Sequence, residues 1–268
     1  MPGMDLGLTG RACIVTGASS GIGAATAREL CAEGAHVLLV GRHAEPLATA
    51  ADQARAAGGR AETLADDVTD PGAGERLVEA CADRFGEVYA LVNGAGTSAI
   101  RSLDELTDAD WRLQWELHVM GPMRLMRAAA PRMAERGGGR IVNVSSSSGK
   151  RPSATNMAYS VTKSAELALS RAFADLYAGQ GVLVNAIAPG MVESPLWTAA
   201  GGMADQVAER QGIDREQALA DARERVPVGR MGQPDEIAAV IVFLCSARAS
   251  DVTGAAWSVD GGAVATIV

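Results

Sequence analysis

The sequence predicts an α/β fold, a single doubly wound domain whose seven-stranded parallel sheet is covered by helices on both faces. Three observations carry that expectation. Short β-rich runs alternate with longer Ala-rich stretches of helical pattern along nearly all of the 268 residues. The runs are close to continuously apolar, as strands buried on both faces must be. No Pro/Ser linker or charge block interrupts the alternation, so one domain is expected over residues 1–268.

The first strand is ACIVTG at 12–17, followed by a helix near 21–33. Further strands with their exits are read at 35–41, 61–68, 88–96, 139–146, 182–190 and 255–262. Helical patterns lie between them near 44–57, 71–85, 104–135, 157–179 and 234–247. Right-handed crossovers then put ligands at the carboxyl ends of the strands. Residues 191–230 break the rhythm, with helical patterns punctuated by Pro195, Gly201 and Gly202. A long insertion at the ligand edge reads as a substrate lid. Its plainer reading is a surface excursion or an oligomer contact. Met191, Leu196, Trp197 and Met203 give it an apolar start, which favours a mid-sized, partly apolar ketone or alcohol.

Composition excludes several classes. Asp and Glu number 32 against 24 Lys and Arg, a formal charge of −8, which argues against a nucleic-acid partner. Cys13, Cys31, Cys81 and Cys245 lie far apart, without metal-ligand spacing, so no metal is expected and the thiols read as buried in a reducing compartment. The start, MPGMDLGLTGRA, has no apolar signal core. The longest apolar stretch, 237–247, is too short to cross a bilayer. No membrane partner and a cytoplasmic location are therefore expected.

The turn Thr16-Gly17-Ala18-Ser19-Ser20-Gly21-Ile22-Gly23 joins the first strand to the first helix. Glycines there let the backbone approach a pyrophosphate, and the helix N-terminus offers free N–H groups and a positive dipole end. Where the second strand ends, dinucleotide folds use an acidic residue for a ribose 2′-hydroxyl or an arginine for a 2′-phosphate. Here the strand ends Gly41-Arg42-His43. The acidic position is empty, and Arg42 has a fork that can grip a phosphate, which favours NADP(H) over NAD(H). A solvated arginine that leaves the cofactor open is the plainer reading.

Tyr159 and Lys163 are four apart in a helical pattern and share a face. A free tyrosine titrates near pH 10, so forming its phenolate near neutrality costs roughly 4 kcal/mol. An ammonium about 4 Å away at an effective dielectric near 20 supplies an interaction of that order. Tyr-x-x-x-Lys is thus an acid/base pair in outline, although the spacing alone also suits a half-buried tyrosine beside a surface lysine.

With these pieces in place, the sequence resembles the short-chain dehydrogenase/reductase family over about residues 8–262, in the manner of a 3-oxoacyl reductase-like member. The motifs are TGASSGIG (16–23), Asp67-Val68, NGAG (93–96), Ser146 thirteen residues before Tyr159, Lys163, NAIAPG (185–190) and the closing stretch 227–262. The resemblance implies a Rossmann-type fold and a nicotinamide cofactor. It implies that Ser146 holds the substrate carbonyl oxygen and that Tyr159 delivers or removes its proton. Lys163 would assist the tyrosine and hold the nicotinamide ribose, and Tyr159 too would contact the cofactor. Gly17, Ser19, Ser20, Gly21, Ile22 and Gly23 would carry the phosphates, and Asp67 and Val68 would flank the adenine. Asn93 would sit on the adenosine ribose side, Ala95 and Gly96 would also contact the cofactor, and Pro189, Gly190, Val192 and Ser194 would line the nicotinamide end. Ser145, Ser147 and Ser148 rival Ser146, but the spacing to Tyr159 selects Ser146. The partners implied are a small-molecule carbonyl or alcohol and further copies of the chain, as a dimer or tetramer.

One position departs from the family pattern. Seven residues beyond Trp111, where the family has an asparagine that helps hold a relay water, this chain has His118. The expectation is that His118 keeps a relay role, through an altered water arrangement or direct contact with Lys163. A helix-packing histidine is the plainer alternative. The function expected is NADPH-dependent reduction of a ketone (3-oxoacyl, polyketide-like or another mid-sized carbonyl) to a secondary alcohol, or the reverse. The alternative is a cofactor-binding protein with redirected chemistry, an epimerase or dehydratase, or a regulator of weak activity.

Overall fold

The computed structural model describes residues 5–265. Residues 1–4 and 266–268, which the N-terminal reading and the domain bounds include, lie outside the described residues. Seven strands form one all-parallel sheet in the order β3-β2-β1-β4-β5-β6-β7. They are β1 (Ala12–Thr16), β2 (His36–Gly41), β3 (Arg60–Ala65), β4 (Ala90–Asn93), β5 (Gly139–Val144), β6 (Val182–Pro189) and β7 (Ala256–Val259). Strand order reverses between β1 and β4, which opens a crevice at the carboxyl ends.

The central strands carry runs of consecutive apolar residues because successive side chains enter opposite layers. Cys13 and Val15 of β1, with Val37 and Leu39 of β2, pack beneath α1 (Gly21–Ala32), α2 (Ala44–Ala57) and the C-terminal helix. Ala12 and Ile14, with Leu38 and Val40, enter the other layer, with α3 (Ala73–Phe85) and the helices that follow β4 and β5.

The 104–135 pattern is not one helix. It divides into α4 (Asp108–Trp115), a π-helical turn (Glu116–Met120) and α5 (Gly121–Glu135). A capping box fixes the start of α4, Thr107 accepting from the Asp110 N–H while Asp110 accepts from the Thr107 N–H. The wider turn has a visible cause. Pro122 has no N–H for the carbonyl four residues back, which is that of His118, and the Gly121 N–H bonds Glu116 five residues back. Apolar periodicity does not register this break.

After β5 come the short α6 (Ser147–Lys150) and the long α7 (Met157–Tyr177). The 191–230 segment folds as α8 (Pro195–Thr198), α9 (Met203–Gln211) and α10 (Arg215–Glu224), and α11 (Pro234–Cys245) returns to cover α1. Ala204, Ala208, Ala218 and Ala222 are buried between the excursion's own helices and their surroundings. Two contacts tie α9 across the cleft mouth: Gln206 Oε1 accepts from the Ile100 N–H at 2.8 Å, and Arg210 pairs with Glu105 at 3.0 Å. No helix among the described residues is long and apolar enough to cross a membrane.

Candidate active site

Two cavities meet at the carboxyl edge of the sheet, sharing Ile22, Gly94, Gly96, Val144 and Ser194 as a common wall. The larger, about 380 Å³, runs along the β1–α1 turn to the end of β2. The smaller, about 190 Å³, lies under the 191–230 excursion.

The mould of the larger cavity is built by close backbone approach. Gly17 has φ +68°, and a Cβ there would stand 2.6 Å from the Gly94 carbonyl oxygen. A Cβ on Gly23 would stand 2.3 Å from the Gly17 carbonyl oxygen, so α1 can begin this close to the turn only with glycine at 23. Ser20, the N-cap of α1, makes no side-chain capping bond, and the first turn carries no acid, which leaves N–H groups and the positive dipole end facing the cavity. Those features fit a dinucleotide pyrophosphate. Thr16 is a site residue that the sequence reading missed. Its buried hydroxyl oxygen accepts from the N–H groups of Gly94 and Ala95 at 3.1 and 3.2 Å, fixing the β4 exit against β1. An apolar strand ending in threonine was the available signal.

Gly17, Ser19, Ser20, Gly21, Ile22, Gly23, Ala95 and Gly96 all line this cavity. So do Asp67 and Val68. The Thr69 N–H and hydroxyl bonds hold the Asp67 carboxyl below its usual value, with a smaller contribution from the Arg42 charge. Arg42 stands at the rim, exposed, and makes no hydrogen bond or ion pair among the described residues. Asn93 is placed differently from the expectation. It is buried at the end of β4, its Nδ2 donating to Asn143 Oδ1 at 2.7 Å, and it lines neither cavity.

Ser146, Tyr159 and Lys163 come together on the wall of the smaller cavity. Ser146 caps α6, its Oγ accepting from the Ser148 N–H at 3.1 Å, which leaves its own proton for a ligand. The rival Ser145 is engaged elsewhere, donating to the Lys163 carbonyl at 2.8 Å. Lys163 Nζ lies 5.9 Å from the centre of the Tyr159 ring. Pro189, Gly190, Val192 and Ser194 line the same cavity, as do Met191, Leu196, Trp197 and Met203 of the excursion. Gly190 has a packing reason of its own, since a Cβ there would lie 2.9 Å from the Asp260 Cα.

The sequence profile described as short chain dehydrogenase matches residues 11–204. The chain belongs to the short-chain dehydrogenase family. It is 40% identical over 253 residues to cis-4-hydroxycyclohexanecarboxylate dehydrogenase of Sinomonas cyclohexanicum, covering 94% of this chain and 96% of that protein. It is 38% identical over 249 residues to the short-chain reductase protein NovJ of Streptomyces niveus, covering 93% and 92%. Its fold superposes on L-sorbose reductase from Gluconobacter frateurii, solved with NADPH and L-sorbose, at a TM-score of 0.92. That match has 36% identity and covers 98% of this chain and all of that one. This short-chain dehydrogenase is an oxidoreductase of carbonyl and alcohol groups with a Rossmann fold.

At the position where the family pattern has asparagine, this short-chain dehydrogenase buries His118 completely. Its Nε2 accepts from the Thr97 N–H at 3.3 Å, so Nδ1 carries the ring proton and donates to Thr162 Oγ1 at 3.1 Å. Thr162 in turn donates to the Tyr159 carbonyl at 2.9 Å. Burial, and then the Lys163 charge, hold His118 well below the usual histidine value, so the ring is neutral. It packs edge-on against the Tyr159 ring, with centroids 5.3 Å apart at 86°. No hydrogen bond joins His118 to Lys163 among the described residues. Lys163 instead meets Glu166 Oε2 at 2.8 Å, a residue the sequence reading did not single out. An acid one turn after the lysine, on the buried stripe of α7, was the signal for it.

Proposed function

We propose that this chain is an NADP(H)-dependent reductase of mid-sized, uncharged ketones, with Ser146, Tyr159 and Lys163 as its catalytic residues. The observation that carries the reading is their convergence in a small cavity that adjoins a dinucleotide-shaped one, whose far rim bears Arg42, unpaired among the described residues. Among the described residues Lys163 is the only charged side chain lining the small cavity, where hydroxyls and Asn156 face Met191, Leu196, Trp197 and Met203. Such a lining suits a neutral substrate with both polar and apolar surface. The NADPH and L-sorbose held by the sorbose reductase of matching fold support the cofactor and the substrate class.

When bound, the nicotinamide supplies or takes up the hydride. The protein's part is positioning and proton supply. Ser146 donates its free hydroxyl proton to the carbonyl oxygen and fixes the substrate's orientation. The Tyr159 hydroxyl delivers its proton to the oxygen as charge develops there, and the nearby Lys163 ammonium stabilises the charge left behind. The 191–230 excursion serves as the lid, and residues 1–268 act as one catalytic domain.

A panel of cyclic, polyketide-like, 3-oxoacyl and sugar ketones tests the assignment. One NADPH should be oxidised for each alcohol formed, and NADH should be a poorer donor. Tight NADPH binding without consumption by any ketone would favour the regulator, and product formation without net oxidation would favour an epimerase or dehydratase. We also propose a homo-oligomer, because Leu113 and Trp115 on α4 and Val161 and Leu176 on α7 are exposed apolar residues on two neighbouring helices. Sedimentation velocity should show a dimer or tetramer at micromolar concentration, and a monomer there would remove this proposal.

A further inference from the structure

The ammonium of Lys163 has three protons and almost no contact with solvent. One is donated to the Val144 carbonyl at 2.8 Å and a second to Glu166 Oε2 at 2.8 Å. The two side chains of that ion pair are 4% and 2% exposed. A third proton remains for the cavity. A buried carboxylate beside a catalytic lysine is costly to place there, and replacing such a pair with apolar residues is often neutral or stabilising. Stability alone is therefore a weak account of it. Burial pushes the Glu166 carboxyl up to about 7, outweighing the opposing pull of Lys163. One turn further along the same stripe, the buried Ser170 hydroxyl has no hydrogen-bond partner among the described residues.

His118 cannot take this part, because both ring nitrogens are committed to Thr97 and Thr162. Other titratable groups on the elements packed against α7 are engaged elsewhere or exposed, Glu135 of α5 among the exposed ones. Arg124 of α5 pairs with Glu116 of the π-helical turn, and Arg112 of α4 pairs with Asp108. Arg140 of β5 bonds the Gly139 and Ser246 carbonyls, and Lys150 of α6 bonds the Ala256 carbonyl and Ser258. Arg127 of α5 is exposed, Arg132 pairs with Glu79, and β6 carries no titratable side chain.

We propose that Glu166 is a positioning residue of the proton relay, holding the Lys163 ammonium in place and restoring the lysine's proton from inside the protein after Tyr159 has protonated the substrate. The proposal rests on the Ser146–Tyr159–Lys163 reading. Only O–H and N–H bonds change. One O–H breaks at Tyr159 as one forms on the substrate oxygen, and an N–H of Lys163 then breaks as the Tyr159 O–H is restored. Lys163 Nζ then takes the proton of the Glu166 carboxyl, which ends as carboxylate. Solvent returns one proton to Glu166 between turnovers, and no electrons move beyond the hydride.

The test uses the cofactor-free protein first. Infrared difference spectra taken while the pH is raised through about 7 should show loss of the C=O stretch of a protonated carboxyl. Glu166→Gln should lack this band, and His118→Asn should keep it. In steady-state ketone reduction with NADPH, Glu166→Gln should lower kcat about tenfold with KM for the ketone unchanged. It should also lose the wild-type fall in rate above neutral pH, and Glu166→Asp should restore that fall in part. No titrating carboxyl band, or a Glu166→Gln profile matching the wild type, would overturn the proposal. Should Glu166→Gln fail to fold, the wild-type and Glu166→Asp infrared titrations decide it by the presence or absence of the band. If no ketone is reduced at all, the functional reading falls separately, while the band still reports whether Glu166 holds a proton for Lys163.

Discussion

Tyr159→Phe is expected to lower kcat for ketone reduction by about a thousandfold, within the roughly 10²–10⁴ range for a positioned general acid. The substitution removes one hydroxyl and keeps the ring. That ring's packing against His118, edge-on at 5.3 Å, does not depend on the hydroxyl, so the variant should fold as the wild type does. Ser146 and Lys163 still line the cavity, and the glycine-rich mould lies in the neighbouring one. NADPH affinity, read by fluorescence of the bound cofactor, should therefore change by less than about threefold, because the turn and the arginine proposed to grip the phosphates are untouched. Loss of turnover with binding retained is the signature of a proton donor. A variant retaining activity within about tenfold of wild type would transfer the role to another group.

The second large effect concerns Arg42. Arg42→Ala should lower kcat/KM for NADPH by about a hundredfold while leaving that for NADH nearly unchanged. Hydrogen bonds to charged groups contribute about 1.5–3 kcal/mol each, and a guanidinium can grip a phosphate with two. The side chain is exposed and makes no ion pair among the described residues, so its charge is available, but water and salt screen it. The NADPH preference should accordingly weaken as ionic strength rises. Equal losses with both cofactors would show that Arg42 supports the site without reading the phosphate, and strong use of NADH by the wild type would remove the argument altogether.

Much of this architecture can be read from the sequence because its causes are local. A doubly covered parallel strand must be apolar on consecutive residues, and β1, β2 and β4 are. The turn at 16–23 announces itself through glycines whose missing side chains would strike backbone atoms. Ser146, Tyr159 and Lys163 were legible from spacing joined to family resemblance, and they do share one cavity. What escaped the reading depends on contacts distant in sequence. Nothing local to Asn93 says that its amide will be taken by Asn143, fifty positions on, instead of facing a ligand. Nothing in the apolar rhythm of 104–135 separates a continuous helix from one loosened at Pro122. Glu166 is an ordinary helix residue in sequence and becomes chemically distinctive only when α7 is packed and its carboxyl is sealed against Lys163.

The contact between Gly23 and Gly17 has a consequence for how the site meets its ligand. The carbonyl of the turn lies where any side chain at position 23 would have to go, so helix packing, with no ligand involved, dictates the shape of the turn. The turn is thus a casting whose form is finished before the cofactor arrives. An incoming dinucleotide meets a surface already cut to shape, and little of its contact energy is diverted to freezing a wandering loop. Specificity can then drift at the rim, at residues such as Arg42, while the casting itself stays fixed.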